Sequence, residues 1–85
     1  MKKILIIEDE KVISLELQTL LKNYGYDAMI LNDFNDVKNK VLQMNPDLIL
    51  LDINLPNLNG EIVLKEIRKE SNVPVIMVTS RVRIG

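Results

Sequence analysis

The 85-residue sequence contains no cysteine and no histidine. The first absence excludes disulfides, thiol catalysis and cysteine-ligated metal. The second removes imidazole as a triad member, as a base poised near neutral pH and as a phosphohistidine. Any acid–base or metal chemistry must therefore rest on carboxylates. Positive charge is not in surplus either: eleven basic residues stand against twelve acidic ones, a net charge of -1, which leaves nothing to neutralise a phosphate backbone. Direct nucleic-acid binding is not expected. The longest apolar runs, such as ILII, LILL and VIMV, reach four residues, far short of a membrane span. The start, MKKILIIEDE, turns acidic too early for a signal peptide. A cytoplasmic protein without membrane insertion is the expectation. No Gly-rich loop of the G-x-G-x-x-G or G-x-x-x-x-G-K kind occurs, so nucleotide binding is not expected.

What is present is an ordinary globular composition, with 47% hydrophobic and 27% charged residues, and no Pro-rich, Ser-rich or low-complexity stretch to mark a linker or a disordered tail. Residues 1–85 are read as one small domain, which buries only about 60% of its unfolded surface. Lys3 to Ile7 (KILII) and Asp47 to Leu51 (DLILL) are near-continuous apolar runs, the pattern of parallel strands buried on both faces. Val73 to Thr79 (VPVIMVT) is a third run and Asp27 to Leu31 (DAMIL) a weaker fourth. Ile13, Leu17, Leu20, Leu21 and Tyr24 recur at helical spacing before Gly25, a C-terminal cap. Phe34, Val37, Val41 and Met44 form a second stripe that stops before Pro46; Val63, Leu64 and Ile67 mark a third helix after Gly60. All three stripes are read as core packing. Strands alternating with helices predict an α/β protein with a parallel sheet and right-handed crossovers.

In such sheets ligands sit beyond the carboxyl ends of the strands, where the strand order reverses. Strand one ends in IEDE, the middle strand in LLDIN and the last in VTS, so Glu8, Asp9, Asp52, Thr79 and Ser80 are candidates for one shared edge. Crowded carboxylates raise one another's pKa or require a cation, and an oxygen-only donor set suits a hard ion such as Mg²⁺. Individually, each residue has a plainer reading: Glu8 and Asp9 begin a helix whose dipole favours acids, and Asp52 caps the turn at Pro56. Jointly, two acidic strand ends and a hydroxyl pair after a third fit a phosphate-handling site better.

IIEDE, DLILLDINLPNLNG and VPVIMVTS, in that order, resemble the receiver domain of two-component response regulators. The acidic pair, the Asp-x-x-x-Pro-x-x-x-Gly run and the strand-terminal Thr-Ser carry the likeness, which covers nearly the whole chain. The resemblance implies a flavodoxin-like (CheY-like) parallel sheet with helices on both faces. It implies that Asp52 is the phosphoacceptor for a sensor histidine kinase, its carboxylate facing solvent from the mouth of a stiff strand. Asp9 and Asp52 match direct Mg²⁺ ligands, the backbone carbonyl of Asn54 a third, and Glu8 an acid acting through metal-bound water. Thr79 matches the hydroxyl that bonds the attached phosphoryl group and Ser80 its small neighbour, while Pro56 and Gly60 shape the loop. Such a protein is a signalling domain and not an enzyme beyond self-phosphorylation and self-dephosphorylation.

The chain departs from the family in stopping at SRVRIG, so the C-terminal α4-β5-α5 portion is lacking, together with the lysine that pairs with a phosphoryl oxygen and the aromatic switch residue. Impaired phosphoryl transfer is expected. The last strand becomes an apolar edge, which predicts homo-oligomers through strand four. Two alternatives stand beside this reading: an interaction module or degenerate receiver that is not phosphorylated, and a haloacid-dehalogenase-like phosphohydrolase, whose second acid would fall where Asn54 stands.

Overall fold

In the computed structural model, which describes residues 1–78, the chain runs β1 (Lys3–Ile7), α1 (Lys11–Asn23), β2 (Asp27–Leu31), α2 (Val37–Met44), β3 (Leu48–Asp52), α3 (Gly60–Arg68) and β4 (Val75–Val78). The four strands form one sheet in the order β2-β1-β3-β4, every neighbouring pair parallel. From β1 the chain therefore builds first to one side and then to the other. The reversal falls between β1 and β3, where Ile7 lies opposite Leu51 and the next residues are Glu8 and Asp52.

Alternation along the strands divides the sheet into two faces. Leu5, Ile7, Leu31, Ile49 and Leu51 join Val37 and Val41 of α2 and Val63 and Ile67 of α3 in one buried cluster. No α1 residue belongs to that cluster; α1 lies across β1 and β2 on the opposite face, where Ile4, Ile6 and Ala28 are buried. The Gln18 side-chain amide fixes α1 there by donating to the Ala28 carbonyl at 3.0 Å.

Helix ends follow local chemistry. Gly25 takes φ +89°, its N–H bonds the Lys22 carbonyl at 3.0 Å, and the Tyr26 N–H bonds the Leu21 carbonyl at 3.1 Å. This pair of bonds is the Schellman arrangement, which satisfies carbonyls that the helix end leaves open. Helix α2 stops at Asn45, in the left-handed region at φ 48°, one residue before Pro46, whose ring disfavours continued helix.

Three expectations shift. Phe34 lies outside α2, because Asp36 is left-handed at φ 55° and the helix begins only at Val37; its ring is half-buried against the α2–α3 cluster all the same. Leu20 and Tyr24 do not pack as core residues but are 51% and 74% exposed. Helical spacing put them in line with Ile13 and Leu17, yet the covered side of α1 runs through Ser14, Leu17, Gln18 and Leu21, and Leu20 and Tyr24 fall beside it. Strand β3 is displaced by one residue and includes Asp52, while β4 is described over Val75–Val78 and Thr79 lies outside the described residues.

Candidate functional site

The reversal point carries the chemistry. Carboxylate oxygens of Glu8, Asp9 and Asp52 lie within 4.8 Å of one another. Glu8 follows β1 on the α1 side of the sheet and is 3% exposed; Asp52 ends β3 on the same side and is fully buried. Asp9 is exposed at the rim. Each buried acid has one oxygen tied to its own turn: Glu8 Oε1 accepts from the Glu10 N–H at 3.0 Å and Asp52 Oδ1 from the Asn54 N–H at 3.0 Å. The remaining oxygens, Glu8 Oε2 and Asp52 Oδ2, are buried without a hydrogen-bond partner among the described residues.

Such atoms are costly unless something satisfies them. Burial, followed by the charges of Asp52 and Asp9, pushes the Glu8 carboxyl from 4.5 up to about 7, against the pull of the Glu10 N–H. Two orphaned carboxylate oxygens beside a third acid, with no nitrogen or sulfur donor in the cluster, fit a hard divalent cation such as Mg²⁺.

Asp52 departs from expectation in its surroundings. Its carboxylate does not face solvent but is fully buried, and β3 runs on past it, the Ile53 N–H pairing with the Val78 carbonyl at 2.9 Å. The Asn54 N–H and the neighbouring acids lie against it. A cleft of about 680 Å³ beside the site is lined by Asp9, Asn54, Asn57, Asn59 and Glu61 among others, and Asp9 also borders a second cavity of about 420 Å³ that reaches Glu8, Lys11 and Ser14. Asn54 thus joins the cluster through its N–H and through the cleft. Thr79 and Ser80 lie outside the described residues.

Two residues of the β3–α3 connection position the site more firmly than the sequence suggested. Asn59 caps α3 by accepting the Glu61 N–H at 2.8 Å. Gly60 presses against β3 so closely that a Cβ there would sit 2.6 Å from the Asp52 carbonyl oxygen, a contact only glycine permits. The Asn-Gly-Glu order was a readable cap signal; the approach to Asp52 had none.

Comparison with known proteins agrees with this geometry. Residues 4–84 match the response regulator receiver domain family. The chain is 42% identical over 81 residues to the uncharacterized transcriptional regulatory protein YvcP of Bacillus subtilis, covering 95% of this chain and 34% of that protein, so it spans about a third of the relative's length. Among solved structures, the response regulator protein TrrA from Thermotoga maritima, determined in complex with Mg²⁺-BeF, is 33% identical with a TM-score of 0.85, covering 95% of this chain and 71% of that one. The Vibrio cholerae chemotaxis protein CheY4 is 26% identical with a TM-score of 0.84, covering 98% of this chain and 72% of that one. The sheet is thus of the CheY-like kind, and α4, β5 and α5 have no counterpart in residues 1–78. The match decides against the dehalogenase alternative: this chain belongs to the response regulator receiver domains, the signalling modules of two-component systems.

Proposed function

We propose that residues 1–85 act as one partial receiver domain in which Asp52 accepts a phosphoryl group from a sensor histidine kinase, in the cytoplasm and with Mg²⁺ bound. One observation carries this reading: three carboxylates converge within 4.8 Å at the strand-order reversal, with Glu8 Oε2 and Asp52 Oδ2 buried and unpartnered among the described residues. Asp52, Asp9 and the backbone carbonyl of Asn54 would hold the ion directly, and Glu8 through water. When bound, the ion neutralises oxygen charge that would otherwise repel the incoming phosphate.

The protein's own groups do the rest. The Asn54 N–H holds Asp52 Oδ1 and so orients the carboxylate, of which one oxygen would face the ion and the other the donor. The oxygen facing the donor forms the new O–P bond while the P–N bond of the donor's phosphohistidine breaks, and the histidine nitrogen keeps the electron pair. Because Asp52 is fully buried, its carboxylate must be uncovered before attack. Thr79 is proposed to donate its hydroxyl to a phosphoryl oxygen, with Ser80 the small neighbour that leaves space beside it.

Intact mass after incubation with a small-molecule phosphodonor and Mg²⁺ tests this. One added phosphoryl group on the parent and none on Asp52→Asn supports it; equal behaviour of the two overturns it. Full burial of Asp52 favours a second reading, an interaction module that keeps the fold without taking phosphate, and no uptake by either protein would support that module. Either reading admits self-association through β4, an edge of the described sheet whose Ile76 is 51% exposed. A mass that stays monomeric in concentrated light scattering would count against it.

A further inference from the structure

Among the nine asparagines of the sequence, Asn59 alone precedes a glycine. In such a pair the main-chain nitrogen of the glycine, once deprotonated, can add to the asparagine side-chain carbonyl carbon, since no Cβ hinders the approach. A bond forms from Gly60 N to Asn59 Cγ, the Cγ–Nδ2 bond breaks, and ammonia leaves. Water then opens the resulting succinimide at either carbonyl, giving aspartate or isoaspartate. No co-reactant other than water is needed.

Two hydrogen bonds act on this reaction in opposite senses. The Glu61 N–H donates to Asn59 Oδ1 at 2.8 Å, where it would stabilise the oxyanion formed on attack. The Gly60 N–H, however, donates to the Ile53 carbonyl at 3.2 Å, so the nucleophile is committed to β3. Movement is blocked as well: a Cβ on Gly60 would meet the Asp52 carbonyl oxygen at 2.6 Å and Ile53 Cα at 3.0 Å, leaving the main chain no room to swing. The blocking bond prevails, because no attack starts until it breaks.

We propose that Asn59–Gly60 is a deamidation site held shut by the Gly60 N–H bond to the Ile53 carbonyl and opened only when the loop between β3 and α3 lifts from the sheet. The two products differ in consequence. Aspartate caps a helix as well as asparagine does and adds one negative charge to the cleft lined by Asp9 and Glu61. Isoaspartate lengthens the main chain by a methylene where Gly60 presses on Asp52, and cannot keep that contact.

The test ages the whole 85-residue chain at mildly alkaline pH, folded and in urea, and follows amide-to-acid conversion at each asparagine by peptide mapping, with hydrogen exchange at the Gly60 amide alongside. In urea Asn59 converts ahead of the other asparagines; in the folded protein it converts at least about tenfold more slowly, the factor being set by local loop opening. Pro56→Gly, which loosens the loop without removing either hydrogen bond, raises Gly60 exchange and folded-state conversion together. A temperature series on the parent gives the same correlation if that variant does not fold. Equal rates with and without urea, another asparagine converting first in urea, or faster Gly60 exchange without faster conversion would each overturn the proposal.

Discussion

The two faces of the sheet carry similar residues and live in different surroundings. On the α2–α3 face, Leu5, Ile7, Ile49 and Leu51 are all fully buried. On the α1 face, Ile4 and Ile6 are buried beneath the helix, but Leu48 and Leu50 are only half-buried and Ile76 is 51% exposed. Side-chain chemistry is nearly constant across the sheet, so the contrast comes from coverage: two helices close one face over β1 and β3, and one helix covers β1 and β2 on the other. The acids follow the same division. Glu8 and Asp52 continue the strand positions of the thinly covered face and are nevertheless buried, at 3% and 0% exposure.

Adjacent residues of β3 offer the sharpest way to break this contrast. Ile49→Ala should cost about 2–5 kcal/mol, because it opens a cavity in a closed layer, whereas Leu50→Ala should cost about 1 kcal/mol. Urea unfolding of both variants checks this, and equal losses would mean that the two faces are equally packed.

The next effect is on the acids. Glu8 binds its proton more tightly in the folded protein than its ordinary value of 4.5 allows, up to about 7. The stability contributed by its protonation is full below pH 4.5 and is lost as the pH rises through about 7, a change on the order of 3 kcal/mol in metal-free solution. Urea midpoints should therefore fall between pH 5 and pH 8, the fall should be smaller in Glu8→Gln, and Mg²⁺ should restore part of the loss at pH 8. A parent and a Glu8→Gln protein with parallel pH profiles would contradict the buried-acid explanation.

Smaller effects complete the series. Asn59→Ala removes the α3 cap and should cost about 1 kcal/mol, with Asn59→Asp near neutral; thermal melts separate the two. Leu20→Lys and Ile76→Thr, on the open face, should each stay within about 0.5 kcal/mol. Ile76→Thr should also lower any self-association seen by light scattering, since it keeps a β-branched strand residue while removing apolar edge surface.

Much of this was legible in the sequence. Apolar runs marked every strand, because parallel strands covered on both faces leave little room for polar residues, and Gly25 marked the end of α1 because only a left-handed residue closes that turn. Leu20 and Tyr24 were misread because periodicity reports which side of a helix is apolar and not what lies opposite it. Phe34 was misread because the left-handed turn at Asp36 interrupts a stripe that looks continuous in sequence. The convergence of Glu8, Asp9 and Asp52 could be inferred from strand ends, since topology alone brings them to one edge. The burial of Asp52 could not, because it depends on how the Asn54 turn and Gly60 pack against β3, contacts that no spacing rule records.

The most direct measurement is the position of the phosphoryl group: borohydride reduction of the acyl phosphate after incubation with a phosphodonor, followed by peptide mass mapping, with and without Mg²⁺. The expected result is reduction at position 52 alone and only when Mg²⁺ is present. Modification at another carboxylate, or at position 52 regardless of Mg²⁺, would contradict an acid cluster that works as a cation-dependent phosphoacceptor.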